Sequence, residues 1–170
     1  TISNFDTWQN ANALGYHADG LILFCYGQAT PCAFTIYNNY ISAHGNVTGN
    51  IMCTYGASSA SGSGATCTIF NNVLYINNDT CAGIGGGRAL WLHGGSGPHY
   101  IYNNTISGPN SDNGCFLVYL EDPSTVVAFK NNLLINSNIG LEEEGSGLLQ
   151  DLTNADYNLY YNLNYIGKGG

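Results

Sequence analysis

Basic side chains are almost missing: Arg88, Lys130 and Lys168 stand against 11 acidic residues in a chain of 170. The net charge of −8 removes the counterion release on which nucleic-acid affinity rests, so DNA and RNA are excluded as partners and an anionic membrane surface is disfavoured. No stretch of about eighteen apolar residues occurs, and no membrane insertion is expected. Charged residues of both signs make up only 8%, against roughly a quarter in an ordinary soluble domain, which leaves Asn, Ser, Thr, Gly and Tyr to cover the surface. The six cysteines show no C-x-x-C spacing and are accompanied by only four histidines. Zinc ligands usually come in closely spaced pairs, so this usage points to an oxidising compartment rather than a zinc site. The opening Thr-Ile-Ser carries neither an initiator Met nor a signal-peptide pattern, and the chain reads as a secreted product, mature or excised from a longer one.

What is present is enough to fold. Leu, Ile, Val and Phe supply 40 of the 170 residues, above the range in which a chain stays disordered, and the length suits a single domain over 1–170. One phrase recurs: TIYNNYIS at Thr35, TIFNNVLYI at Thr68, YIYNNTIS at Tyr100 and AFKNNLLI at Ala128. Its Asn pairs begin at Asn38, Asn71, Asn103 and Asn131, at spacings of 33, 32 and 28 residues; DYNLYYN around Asn158 continues the series and TISNF at Thr1 precedes it. A second element lies between the phrases: LILFCYG from Leu21, IMCTYG from Ile51, ALWLHGG from Ala89, FLVYLED from Phe116 and a weaker LLQDL from Leu148.

The apolar stretches are short, β-branched or aromatic, bounded by Gly and Asn, and never hold a helical period for ten residues, so the repeating unit is β. Without Asn-Gly hairpin signals between strands, the chain is expected to coil in one direction and form parallel sheets, giving about five turns. An Asn at a fixed place in each turn has a physical reason. Its amide both donates and accepts, so stacked copies at Asn38, Asn71, Asn103 and Asn131 can bond along the axis as a ladder, and Asn tolerates the left-handed backbone of a sharp bend. The NN-x-[IL] phrases and the varying pitch resemble the repeats of right-handed parallel β-helix proteins of the pectate-lyase-like superfamily, over nearly the whole chain. That resemblance implies an all-β, single-domain, right-handed parallel β-helix; the superfamily holds lyases, glycosidases, tailspikes, adhesins and non-catalytic surface proteins.

Two cysteine pairs bracket similar loops, Cys25 with Cys32 and Cys53 with Cys67. Pairs between stacked equivalents, Cys25 with Cys53 and Cys32 with Cys67, compete with these local ones, because coils about 4.8 Å apart also fit disulfide geometry. Cys81 and Cys115, one turn apart, would staple adjacent coils. Sequons occur at Asn46, Asn78 and Asn103, all at or near expected bends.

Aligning the second strands by their ends places Phe24, Cys53, Trp91 and Tyr119 in one column, and Tyr26, Tyr55, His93 and Glu121 two residues further on. With Leu23, Met52, Leu90 and Val118 pointing inward, this face would present an aromatic stripe, fit either for sugar rings or for a neighbouring subunit. Catalysis has thinner support. Arg88 is the best candidate base for uronate elimination, yet no second basic residue stands beside it and the net charge repels a polyanion. Hydrolysis needs two carboxylates about 5 to 10 Å apart. Asp19 lies three or four turns, roughly 15 to 20 Å, from Glu121 and Asp122, while those two neighbours point to opposite faces. His17 with Asp19 reads as a structural corner. The run Glu142, Glu143, Glu144 reads as a solvated acidic loop, the alternative being a Ca²⁺ site with hard oxygen ligands; no other cofactor is expected. Neither end of the chain looks like a polar cap. The expected function is therefore an extracellular structural β-helix stacking on copies of itself into a fibre or surface layer; the alternative is a domain that binds or cleaves polysaccharide.

Overall fold

The computed structural model describes residues 2–5, 19–25, 32–43, 49–55, 65–77, 87–92, 98–109, 115–121, 126–144 and 155–169. Among these there is no helix; fifteen strands coil into a parallel β-solenoid with three faces. The first face stacks β1 (Ile2–Phe5), β4 (Tyr40–Ala43), β7 (Val73–Ile76), β10 (Thr105–Ser107) and the start of β13 (Leu133–Glu144). The second stacks β2 (Asp19–Cys25), β5 (Gly49–Tyr55), β8 (Arg88–Leu92), β11 (Phe116–Glu121) and the end of β13. The third stacks β3 (Cys32–Tyr37), β6 (Ala65–Phe70), β9 (His99–Tyr102), β12 (Val126–Lys130) and β14 (Ala155–Asp156). Finally, β15 (Leu159–Gly169) pairs with β13 along both the first and second faces.

Alternate residues of each strand point inward and meet their equivalents in the next coil, so the core consists of stacked columns. Ile41, Leu74, Ile106 and Leu134 form the column of the first face, Ile51, Leu90, Val118 and Leu141 that of the second, and Ile36, Ile69, Ile101 and Phe129 that of the third. All twelve are buried. Each such side chain removed from water contributes about 1.5 to 3 kcal/mol, and the gain is realised only when a neighbouring coil covers it.

Five equivalent turns are not what forms. The regular three-strand coil occurs as β2-β3-β4, β5-β6-β7 and β8-β9-β10, about three turns in all. Beyond it the connection between the first and second faces vanishes, and β13 and β15 each run across both faces, turning at Asn136 and Asn162 with φ near 57° and 55°. These residues stack as well: Asn162 Nδ2 donates to Asn136 Oδ1 at 2.9 Å, and Asn164 Nδ2 to Asn138 Oδ1 at 3.1 Å.

Candidate functional site

The bend between the third and first faces divides two roles between adjacent asparagines. Asn38, Asn71, Asn103 and Asn131 hold φ of 58°, 55°, 57° and 55° and are exposed. Asn tolerates this left-handed region better than other residues with a Cβ, because its short amide bonds locally. The ladder therefore does not run through these four residues, as expected from the sequence, but one position further on. Asn39 Nδ2 donates to Asn72 Oδ1 at 3.2 Å, Asn72 to Asn104 at 3.0 Å, Asn104 to Asn132 at 3.0 Å and Asn132 to Asn158 at 3.1 Å. Each acceptor oxygen also takes the backbone N–H of the residue before it in the ladder. From Asn72 onward, Nδ2 of each rung also reaches back to a carbonyl of the preceding coil, Ile36, Ile69, Ile101 or Phe129. Asn72, Asn104 and Asn132 are buried with their polar groups matched, which an Asp column would fail to do: it lacks the donor and would stack charges.

The aromatic stripe forms in a different register. Ile22 pairs with Met52, Met52 with Trp91, and Trp91 with Tyr119, whereas Leu23, Cys53, Leu92 and Leu120 make an adjoining inward column. Alignment by strand ends was one residue out for β5, and a one-residue slip exchanges the two faces of a strand. Met52 consequently faces outward and Cys53 inward. Trp91 and Tyr119, in adjacent coils as expected, are each only 7% exposed and form a small cluster with Met52 and Phe116, apart from the main core. The Arg88 guanidinium carbon lies 4.4 Å from the centre of the Trp91 ring, 4.2 Å from that of Tyr119 and 5.7 Å from that of Phe116. Trp91 Nε1–H donates to Glu121 Oε2 at 3.0 Å. Both rings are thus covered by their own chain, and Arg88 is engaged over them rather than presented in a cleft.

The open aromatic row lies elsewhere. Tyr37, Phe70 and Tyr102 stack on the outside of the third face, with ring centres 5.1 Å and 5.2 Å apart. Each directly precedes an Asn pair, so the signal was present in the repeated phrase itself. The acidic run is also placed differently: Glu142 to Glu144 close β13 instead of forming a loop, and Glu143 is buried while Glu142 lies half-buried on the opposite side of the strand. Tyr26, His93, Cys81, Asn46, Asn78, Asp122 and His17 lie outside the described residues, and for Cys25 and Tyr55 only the backbone is described. Asn103 is exposed at its bend.

Cys53 and Cys67 are free thiols, which corrects the expected Cys53–Cys67 bond and the competing pairs of these residues with Cys25 and Cys32. Inside the solenoid, where the second and third faces meet, Cys53, Cys67 and His99 are buried and offer ligand atoms within 4.8 Å of one another. The Cys67 backbone N–H donates to His99 Nδ1 at 3.3 Å. Burial lowers the His99 pKa to about 4, and burial together with the adjacent Cys67 pushes the Cys53 thiol well above its ordinary value. Sequence reasoning passed over this group because its members stand 14 and 32 residues apart.

Fold and corner together define a parallel β-solenoid with Asn ladders. No protein-family profile, curated protein or solved structure matches the chain.

Proposed function

We propose that the protein is an extracellular structural β-solenoid that stacks end to end on copies of itself into a fibre or surface layer. The observation that carries this reading is the terminal strand. Among the described residues β15 is paired only along β13, and it leaves Leu159, Tyr161, Tyr165 and Ile166 each more than half exposed. Tyr160 and Leu163 are only partly buried against the core. An eleven-residue edge that no described strand pairs on its outer side, with exposed apolar side chains, is what a further coil would cover, and a second copy supplies one. A head-to-tail contact of this kind does not close on itself and generates a filament. At the other end β1, β2 and β3 are the outermost strands of their stacks.

Several finer features belong to the same reading: the right-handed coiling, the kinship with pectate-lyase-like proteins, and staples between Cys25 and Cys32 and between Cys81 and Cys115. Peptide mapping without reduction tests the staples, and finding them would favour an oxidising location. Trp91 and Tyr119 are covered, so among the described residues the polysaccharide alternative turns to the stacked row that begins at the 52% exposed Tyr37. Electron microscopy and a concentration series by light scattering test the assembly. Filaments or concentration-dependent growth are expected. A monodisperse monomer at high concentration would overturn the proposal, and glycan binding lost in Tyr37→Ala would put the carbohydrate reading in its place.

A further inference from the structure

We propose that Cys53, Cys67 and His99 form a buried site for a divalent cation of the zinc class, independent of the assembly at the ends. The three residues come from β5, β6 and β9, two faces and two successive coils, so the fold alone brings them together. Their in-register neighbours are hydrocarbon: Leu23 and Leu92 flank Cys53, Phe34 stands beside Cys67 and Val126 beside His99. Soft sulfur and imidazole nitrogen therefore converge at one corner of the interior among apolar neighbours.

Charge selects the ion. Two thiolates and a neutral imidazole sum to −2, so a divalent cation makes a neutral complex, the one total charge that an apolar interior accepts without a counter-ion. Thiolate and imidazole ligands favour zinc over calcium or magnesium, which take oxygen donors. Geometry needs little adjustment. Tetrahedral ligands around zinc lie roughly 3.8 Å apart, given metal–sulfur bonds of about 2.3 Å, and the three atoms already fall within 4.8 Å. His99 Nδ1 now accepts a 3.3 Å bond from Cys67 N–H, so ligation exchanges this long hydrogen bond for a metal bond through a turn of the imidazole, which stays neutral. Binding follows 2 RSH + imidazole + M²⁺ → M(RS)₂(imidazole) + 2 H⁺, and a water or other small ligand takes the fourth position. The imidazole also separates this site from a latent disulfide, which has no use for it.

The test uses the full chain, purified air-free and without thiol reductant so that any native disulfide persists, and titrated with Co²⁺ and Zn²⁺. About one ion per chain is expected, with thiolate-to-cobalt charge-transfer absorption and about two protons released per ion. Cys53→Ser and His99→Gln should each weaken binding at least about ten-fold. Should either variant fail to fold by circular dichroism, the wild-type cobalt spectrum and proton count decide. Absence of a bound ion, binding that both folded variants retain, or a Cys53–Cys67 disulfide in the air-free protein would each overturn the site.

Discussion

At the bend of the solenoid, neighbouring asparagines solve separate problems, one conformational and one of hydrogen bonding. Asn104 accepts from the N–H and Nδ2 of Asn72 and donates to Ile69 O and Asn132 Oδ1, all in a buried position. Asn104→Ala orphans several of these groups at once, and chemical denaturation should show a loss of about 3 kcal/mol. The preceding position needs only a backbone that tolerates positive φ. Asn fills it at Asn38, Asn71, Asn103 and Asn131, but the last coil has Tyr157 there, at φ 55° and 80% exposed. A tyrosine gains nothing from the left-handed region and this one buries little, so Tyr157→Gly should raise stability by about 1 kcal/mol, read as an increase in denaturation midpoint.

Strands are positioned here by what lies inside them. Gly140 on β13 faces β15 with no room for a side chain: a Cβ there would stand 2.8 Å from Leu163 Cδ1 and 3.0 Å from the carbonyl oxygen of Ile166. The leucine can turn aside, whereas the backbone oxygen must move with its strand. Gly140→Ala is therefore expected to cost about 1 to 3 kcal/mol and to speed hydrogen exchange along β15 more than along β6. At the start of β9, His99 is buried as a neutral imidazole. With a folded pKa of about 4 against an ordinary 6.5, it binds fewer protons in the folded chain than in the unfolded one between those values. The contribution to stability is complete above pH 6.5 and is lost as the pH falls to about 4, by about 3 kcal/mol in metal-free protein. Denaturant midpoints measured from pH 7.5 to 4 should fall less steeply in His99→Leu than in the wild type.

For the whole molecule, stability behaves as a sum over stacked coils, each coil depending on its neighbours. A central rung should accordingly matter more than a terminal one. Asn158→Ala, at a half-buried position, is expected to cost less than half of what Asn104→Ala costs. The same logic makes the open side of β15 the point of growth. Leu159→Lys combined with Tyr165→Lys places charge on that edge, and these side chains are more than half exposed in the single chain, so thermal unfolding should hardly change. Loss of filaments in the double variant, seen by electron microscopy, is the expected result.

The recurring phrase around each Asn pair carried most of the architecture. Its spacing, β-branched residues and lack of hairpin turns determined parallel coiling and a stacked Asn corner, because a local repeat imposes the same bend and the same inward parity each time. Three features depended on tertiary structure. Which Asn of the pair turns inward follows from how the left-handed residue aims its successor, a matter of one residue in sequence. The face of Met52 and Cys53 followed register with β8, and strand ends hidden among glycines do not reveal register. The meeting of Cys53, Cys67 and His99 has no local signal, since coiling alone brings residues 14 and 32 positions apart to one corner.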